Sequence, residues 1–334
     1  AGNSRILAMI KAEAYGHGLI SVANILSAAD AFGVARMDEA IALRQAGIDK
    51  SIVLMSGFLD ESELEAVIQY QLDVVIHNKQ QLDGLLSSTM RLPAKLWLKI
   101  DTGMHRLGVS PDALPAMMTA IKQAGIDDSQ VVLMTHMACA DNEASDMTER
   151  QLECFYQATK PYDHAKSIAN SAAMFRFPQA RHDWVRPGIM LYGATPIVNK
   201  SAADFGLLPV MTLQSHVVAV KHIGQNESVG YCAQWRSDRD THIGVIAIGY
   251  GDGYPRHAAT GTPVLINGTL YPLVGRVSMD LITVDLGVNS SVQVGDCVTL
   301  WGEGLSVDQV AQHCDTIGYE LLSHLTLRVE RIVV

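Results

Sequence analysis

The first two-thirds of the chain alternate short, continuously apolar runs with amphipathic stretches. The runs are ILAMIKA (6–12), AFGVAR (31–36), SIVLMSG (51–57), DVVIHN (73–78), AKLWLKID (94–101), VVLMTHM (131–137), SIANSAA (167–173) and WVRPGIML (184–191). Between most of them lie segments such as MDEAIALRQAGI and ESELEAVIQYQ, whose apolar residues recur at helical spacing. Strands that are apolar on both faces and alternate with helices predict a parallel sheet covered by helices. Eight such units in the first ~190 residues predict a TIM-type (β/α)8 barrel at the compact end of that fold's size range.

Near residue 207 the texture changes. PVMTLQSHVVAVKHI, DTHIGVIAIGY, GTPVLINGTLYPLVGRVSMDLITVDL and GDCVTLWG are strand-like, and Asn267-Gly268 between two apolar runs predicts a hairpin. Helical spacing returns only briefly, at SVDQVAQHC. The expected organisation is a barrel over 1–207 and a mainly antiparallel β domain over 208–334. No internal repeat of fixed period and no low-complexity tract interrupts it.

Composition narrows the classes of function. A chain of 334 residues that is 48% hydrophobic has material for a large core. A net charge of -10 without a Lys/Arg run argues against nucleic acid or an anionic membrane as the main partner. No apolar run reaches the roughly 18 residues of a membrane span. The chain opens on AGNSRILA, with no signal-peptide pattern and no initiator Met. Cys139, Cys154, Cys232, Cys297 and Cys314 are scattered without a CxxC pair, which reads as free thiols in a reducing cytoplasm. The twelve histidines lack metal-ligand spacing, so no metal is expected.

In a barrel of this kind, chemistry collects at the C-terminal ends of the strands. Those ends carry Lys11; Lys99, Asp101 and Arg106 in LKIDTGMHRLG; His136, with Asp141 shortly after; Asn170-Ser171; and Arg186-Pro-Gly188. A partly exposed polar residue at a strand end is ordinary in isolation. The set is more informative, because the barrel converges all of them on one mouth. Phosphate commonly binds in the loops after strands 7 and 8. Here NSAA offers a hydroxyl, and RPGI offers a glycine whose N–H allows close approach. A lysine beside such a site is either a counter-ion or the amine that holds pyridoxal phosphate as a Schiff base.

At this point the sequence resembles the bacterial alanine racemase family, fold-type III pyridoxal-phosphate enzymes. The likeness runs through IKAEAYGHG, LKIDTGMHRLG, THMACAD, NSAA, VRPGIMLYG, IGYGDGYPR and VGRVSMDLITVDLG, in that order. It implies a cytoplasmic homodimer with shared sites that interconverts L- and D-alanine and supplies D-alanine for peptidoglycan. The implied cofactor is pyridoxal 5'-phosphate, carried on Lys11, which also serves as one base. Tyr250 would be the second base, acting in the other subunit. Tyr15, Ser171, Gly188, Ile189 and Tyr319 would hold the phosphate, and Asn170 would help seat the cofactor. Arg186 would face the pyridine nitrogen, with His136 behind it. Arg106 and a backbone contact at Met279 would bind the substrate. Lys99 matches a position that is carbamylated in many members. Asp141, Arg276 and Ile317 match residues of the access passage.

The sequence departs from that pattern at two positions. Glu13 stands where the cofactor motif usually has Asn, and Cys232 where glycine is usual. Members also carry a further strand and helix ahead of the cofactor lysine. The implied chemistry is physically coherent. Racemisation takes an α-proton from one face and returns one to the other, so it needs two opposed acid/bases. Lysine and tyrosine, both with ordinary pKa values near 10, must be brought toward neutrality by cationic neighbours or burial. Arginine does not give up a proton at neutral pH, so the ring nitrogen it faces stays unprotonated and transamination is discouraged. Serine or broad-specificity racemisation is an alternative. A decarboxylase of the same fold type is another, although its glycine-triplet loop and C-terminal cysteine are missing. A pyridoxal-phosphate carrier made of one barrel would lack the β domain. GYGDGY loosely resembles a nucleotide-binding loop but opens no helix.

Overall fold

The computed structural model describes residues 2–88 and 95–334; residue 94 of the expected run 94–101 lies outside the described residues. Eight strands form a closed parallel barrel: β1 (Arg5–Met9), β2 (Ala31–Val34), β3 (Ser51–Leu54), β4 (Asp73–Ile76), β5 (Leu96–Lys99), β6 (Val131–Met134), β7 (Ala165–Asn170) and β8 (Trp184–Arg186), with β8 pairing back onto β1. Every residue of β2, β4, β5, β6 and β8 is buried. That follows from strands covered on both faces, and it is why their sequences read as unbroken apolar runs. The exception proves manageable: Asp73 is 3% exposed, yet it accepts from Ser51 Oγ (2.5 Å) and from the Lys95 N–H (2.9 Å).

The crossovers are α1 (Leu19–Ile25), α2 (Met37–Gln45), α3 (Glu61–Gln69), α4 (Lys79–Ser87), α5 (Leu114–Gln123), α6 (Met147–Thr159) and α7 (Ser171–Arg176). Several start on side-chain caps. Asp60 accepts from Glu63 N–H (3.0 Å), Asn78 from Gln81 N–H (2.8 Å) and Asn170 from Ala173 N–H (3.0 Å), each satisfying an otherwise orphan donor. Helix α5 buries Leu114, Met117, Met118 and Ile121, the spacing of a single core-facing stripe.

The chain forms two compact units. One comprises the residues up to 14, 18–188 and 196–199; the other comprises 15–17, 189–195 and 200–334. The second unit is built on a six-stranded antiparallel sheet ordered β14-β13-β16-β9-β12-β15, where β9 is Leu213–Ile223, β12 Thr241–Ile246, β13 Pro263–Ile266, β14 Thr269–Pro272, β15 Ile282–Gly287 and β16 Cys297–Trp301. The short pair β10 (Ser228–Val229) and β11 (Trp235–Arg236) stands apart. Asn267 and Gly268 join β13 to β14 with φ of 50° and 77°, the paired left-handed geometry that matches strand twist. Helix α8 (Val307–His313) falls within the expected helical segment. Helix α9 (Gly318–Ser323) was not anticipated, because six residues opening on glycine carry no readable period. No helix among the described residues is long and apolar enough to cross a membrane.

Candidate active site

Lys11 follows β1, and the chain behind it turns the wrong way. Ala12, Glu13, Ala14 and Tyr15 all have φ between 52° and 54°. For L-residues each such conformation costs about 1–2 kcal/mol, so the turn persists only where its surroundings hold it. They do. Ala12 N–H donates to Glu39 Oε1 (2.6 Å), Ala14 N–H to Ile10 O (2.9 Å) and Gly18 N–H to Glu13 O (2.9 Å). The other oxygen of Glu39 accepts from the N–H groups of Ala35 (2.8 Å) and Arg36 (3.1 Å). One carboxylate therefore ties the residue after Lys11 to the end of β2. Burial, then Arg106, pushes the Lys11 amine below its ordinary value, and Glu39 opposes them. Glu13 turns elsewhere, accepting from Leu19 N–H (3.3 Å) at the start of α1.

Further round the barrel, Lys99 ends β5 with 8% exposure. Burial, followed by the charges of Arg186, Arg106 and Lys11, brings its amine down to about 8, with Asp101 pulling the other way. Asp101 also shapes the loop that bears Arg106, accepting from Gly103 and His105 N–H, each at 3.0 Å. Arg186 ends β8 and is 2% exposed. Its Nη1 donates to Ser167 Oγ (2.7 Å), and its Nη2 to Thr135 O (2.6 Å), Ile168 O (3.1 Å) and His136 Nδ1 (3.3 Å). Burial lowers the guanidinium to about 10, so it remains a cation at neutral pH. Burial and then Arg186 hold His136 well below its usual range, so the ring is neutral. Because arginine only donates, Nδ1 accepts and the ring proton sits on Nε2.

On the adjacent strand ends, Asn170 closes β7 and caps α7, while its Nδ2 donates to Met137 O (3.4 Å). Ser171 Oγ accepts from Gly188 N–H (2.8 Å) and keeps its own O–H to give. The hydroxyl and the glycine expected to share a phosphate therefore touch each other. Asp141 uses its carbonyl to receive Val198 N–H (3.2 Å).

The remaining expected residues belong to the second unit. Tyr15 stacks on Tyr192 (ring centroids 4.7 Å apart) and lies 6.0 Å from Tyr319. Burial pushes its phenol up to about 12, which keeps it a proton-bearing donor. Ile189 is fully buried. Tyr250 opens a single 3-10 turn, Tyr250–Asp252, and is 38% exposed. Its N–H donates to Ser278 O (3.0 Å) and Gly251 N–H to Met279 O (2.8 Å), so the two segments run zipped together. A side chain at Gly249 would place Cβ 2.4 Å from the carbonyls of Ser278 and Met279, and only glycine allows that approach. Arg276 Nε donates to Gln234 Oε1 (2.6 Å), and Ile317 immediately precedes α9. Cys232 is exposed with φ of 62°, a conformation that glycine adopts without cost.

Comparison with known proteins identifies the family. Residues 1–196 match the family model for the alanine racemase N-terminal domain, and residues 210–333 match that for the C-terminal domain. The chain is 48% identical over 328 residues to the alanine racemase of Pectobacterium atrosepticum, covering 98% of this chain and 91% of the relative. With that of Photobacterium profundum it shares 47% identity over 332 residues, covering 99% and 92%. The chain belongs to the alanine racemase family. It is thereby an enzyme, an amino-acid isomerase. Among solved structures it superposes on the biosynthetic alanine racemase of Pseudomonas aeruginosa with a TM-score of 0.94 at 44% identity, covering 98% of this chain and 92% of that one. On the Acinetobacter baumannii alanine racemase the TM-score is 0.93 at 40% identity, with the same coverage.

Within this alanine racemase fold, the residues that sequence reasoning missed are those that hold others in place. Glu39 reads in sequence as an ordinary acidic residue in the first turn of α2, and it does accept from Arg36 N–H there. Its second task at Ala12 spans 27 positions and leaves no periodic trace.

Proposed function

We propose that the chain interconverts L- and D-alanine by a two-base reaction with pyridoxal 5'-phosphate, and that it supplies D-alanine for peptidoglycan. The observation that carries this reading is the constellation on the ends of β1, β5, β7 and β8. It contains an amine of lowered pKa at Lys11, a free-to-donate hydroxyl at Ser171 beside the Gly188 amide, and a buried guanidinium at Arg186 bonded only to neutral acceptors. That donor set fits the cofactor group by group: an amine for its aldehyde, the Ser171 hydroxyl as a donor for its phosphate, and a cation for its ring nitrogen. Lys11, Lys99, Arg106 and Arg186 outnumber the nearby carboxylates of Glu39 and Asp101, which favours an anionic guest.

In this reading Lys11 holds the cofactor through its amine. Ser171 and the backbone of Gly188, together with Tyr15, Ile189 and Tyr319, hold the phosphate, and Asn170 seats the ring. When bound, pyridoxal phosphate supplies the electron withdrawal that acidifies the substrate α-carbon. Arg186 would face the pyridine nitrogen as a donor that gives no proton away, and neutral His136 keeps that guanidinium oriented. Arg106 and the Met279 backbone hold the substrate carboxylate. The Lys11 amine moves a proton at one face of the substrate. The Tyr250 phenol moves one at the other face, reaching the barrel mouth of a second copy in a two-fold dimer. Lys99, carrying a carbamate, orients Arg106. Asp141, Arg276 and Ile317 line the access passage.

The test is chiral analysis after incubating the cofactor-loaded protein with L-alanine, L-serine and L-lysine in turn, paired with borohydride reduction. D-alanine should accumulate fastest, and reduction should fix the cofactor to the wild type but not to Lys11→Ala. Release of carbon dioxide from lysine, or a reduced Lys11→Ala that still carries the label, would refute the assignment.

A further inference from the structure

We propose that Arg328 is a positioning residue for Tyr250, locking the turn that carries the tyrosine to the segment that carries Met279. The inference rests on the reading of Tyr250 as a base and adds the device that aims it.

Three sets of contacts carry it, all within the second unit. Arg328 Nη2 donates to Asp280 Oδ1 (2.8 Å), and its Nε lies 3.3 Å from Asp252 Oδ1. Asp252 is not a passive partner. Its Oδ2 accepts from Gly249 N–H (2.9 Å), which closes the short turn on which Tyr250 stands. Asp280 follows Met279 directly. One guanidinium therefore bridges two carboxylates on two segments, above the backbone zipper already described between Tyr250, Gly251, Ser278 and Met279.

The chain around Arg328 adds a second layer. Thr326 Oγ1 donates to Gly251 O (2.9 Å) and Thr326 N–H to Asp252 O (3.1 Å). A Cβ placed on Gly251 would stand 2.3 Å from Arg328 Nη1, so the guanidinium lies directly over the residue next to Tyr250. The C-terminal segment is thus laid along the tyrosine turn and contacts it through main chain and side chain alike.

The Arg328–Asp280 half of the bridge does little for overall stability, since both side chains are about half exposed (52% and 59%) and exposed ion pairs contribute little; Asp252, 15% exposed, keeps its bond from Gly249 N–H when the guanidinium is gone. The backbone bonds hold the two segments together without it. What the guanidinium alone supplies is a fixed angle between them. Two carboxylates brought close with no cation between them would repel and swing the turn. Misplacement of a reacting group by about 1 Å lowers rates roughly a hundredfold.

The test compares Arg328→Met, Asp280→Asn and Tyr250→Phe, each loaded with cofactor. Arg328→Met should keep the wild-type Tm and retain cofactor on dialysis like the wild type, while kcat falls about ten- to a hundredfold and KM changes little. The primary isotope effect with α-deuterated alanine should rise for one enantiomer only, the one whose proton Tyr250 removes. Asp280→Asn removes the charge at the bridge's other end while leaving an acceptor, and should repeat that one-sided signature in weaker form if Arg328→Met folds poorly. Adding Arg328→Met to Tyr250→Phe should slow the enzyme no further. A Tm that falls in step with activity, an isotope effect that rises equally for both enantiomers, or full additivity with Tyr250→Phe would overturn the clamp. If Tyr250→Phe is impaired with a one-sided isotope effect while both bridge variants are silent, the clamp alone fails. If Tyr250→Phe runs at the wild-type rate, the reading of Tyr250 fails and takes the clamp with it.

Discussion

Stripping carbon dioxide from the buffer is a direct probe of Lys99. An amine with its ordinary value of 10.5 is neutral in about one molecule in a thousand at pH 7.5; at about 8 the fraction is about a quarter. Burial and the cations of Arg186, Arg106 and Lys11 therefore raise the supply of nucleophilic amine by roughly two hundredfold. In the carbamylation proposed for Lys99, the neutral nitrogen would attack the carbon of CO2; a C–N bond forms, one C=O π bond breaks, and a proton leaves to water. The side chain passes from cation to anion amid three other cations. The sign of the stability effect follows. The folded value lies below the unfolded one, so protonated Lys99 opposes folding fully below about pH 8, and the penalty fades as pH rises from there toward 10.5. At ~1.36 kcal/mol per pH unit its size is about 3 kcal/mol. The proposed carbamylation would remove it at neutral pH. Degassing at pH 7.5 should lower Tm by a few degrees, bicarbonate should restore it, and Lys99→Met should respond to neither. Labelling with 13C-bicarbonate should give a carbamate resonance in the wild type that Lys99→Met lacks. Identical melts with and without bicarbonate, together with no such resonance, would refute the reasoning.

Three further outcomes are expected. Ser171→Ala combined with Tyr319→Phe should release cofactor on dialysis faster than the wild type, and equal retention would place the phosphate elsewhere. Glu39→Ala removes both acceptor oxygens, the one that serves Ala12 N–H and the one that serves Ala35 and Arg36 N–H. It should cost about 1–3 kcal/mol in denaturant unfolding and speed hydrogen exchange at Ala12, Ala35 and Arg36; unchanged exchange at Ala12 would mean that the turn holds itself. Mixing inactive Lys11→Ala and Tyr250→Phe chains should restore about a quarter of the sites if each site draws one base from each chain, since half of randomly mixed dimers are heterodimers with one complete site. No recovery after exchange confirmed by mass would assign Tyr250 to its own chain.

Much of this molecule could be read from the order of its residues. The eight barrel strands are legible because β2, β4 and β6 are buried on both faces, so burial writes itself as an uninterrupted apolar run. The hairpin at Asn267-Gly268 is legible because two adjacent positive-φ positions admit few other pairs. Lys11, Lys99, Asn170 and Arg186 are legible because strand ends face the mouth of a barrel. These are local signals, each carried within a few residues.

The tertiary structure decided what depends on distant partners. No propensity of Ala12-Glu13-Ala14 favours a left-handed turn; Glu39, from α2, makes it tenable. Nothing in the spacing of Tyr250, Met279 and Arg328 indicates that they share one corner of the second unit, and the Asp252–Arg328–Asp280 bridge joins residues that lie far apart in the sequence. The assignment of 15–17 and 189–195 to the second unit is equally invisible along the chain. Hydrophobic period reports which face of an element is buried. The pairing of a carboxylate or guanidinium with a group tens of residues away is set by where folding places both, and it leaves no period to read.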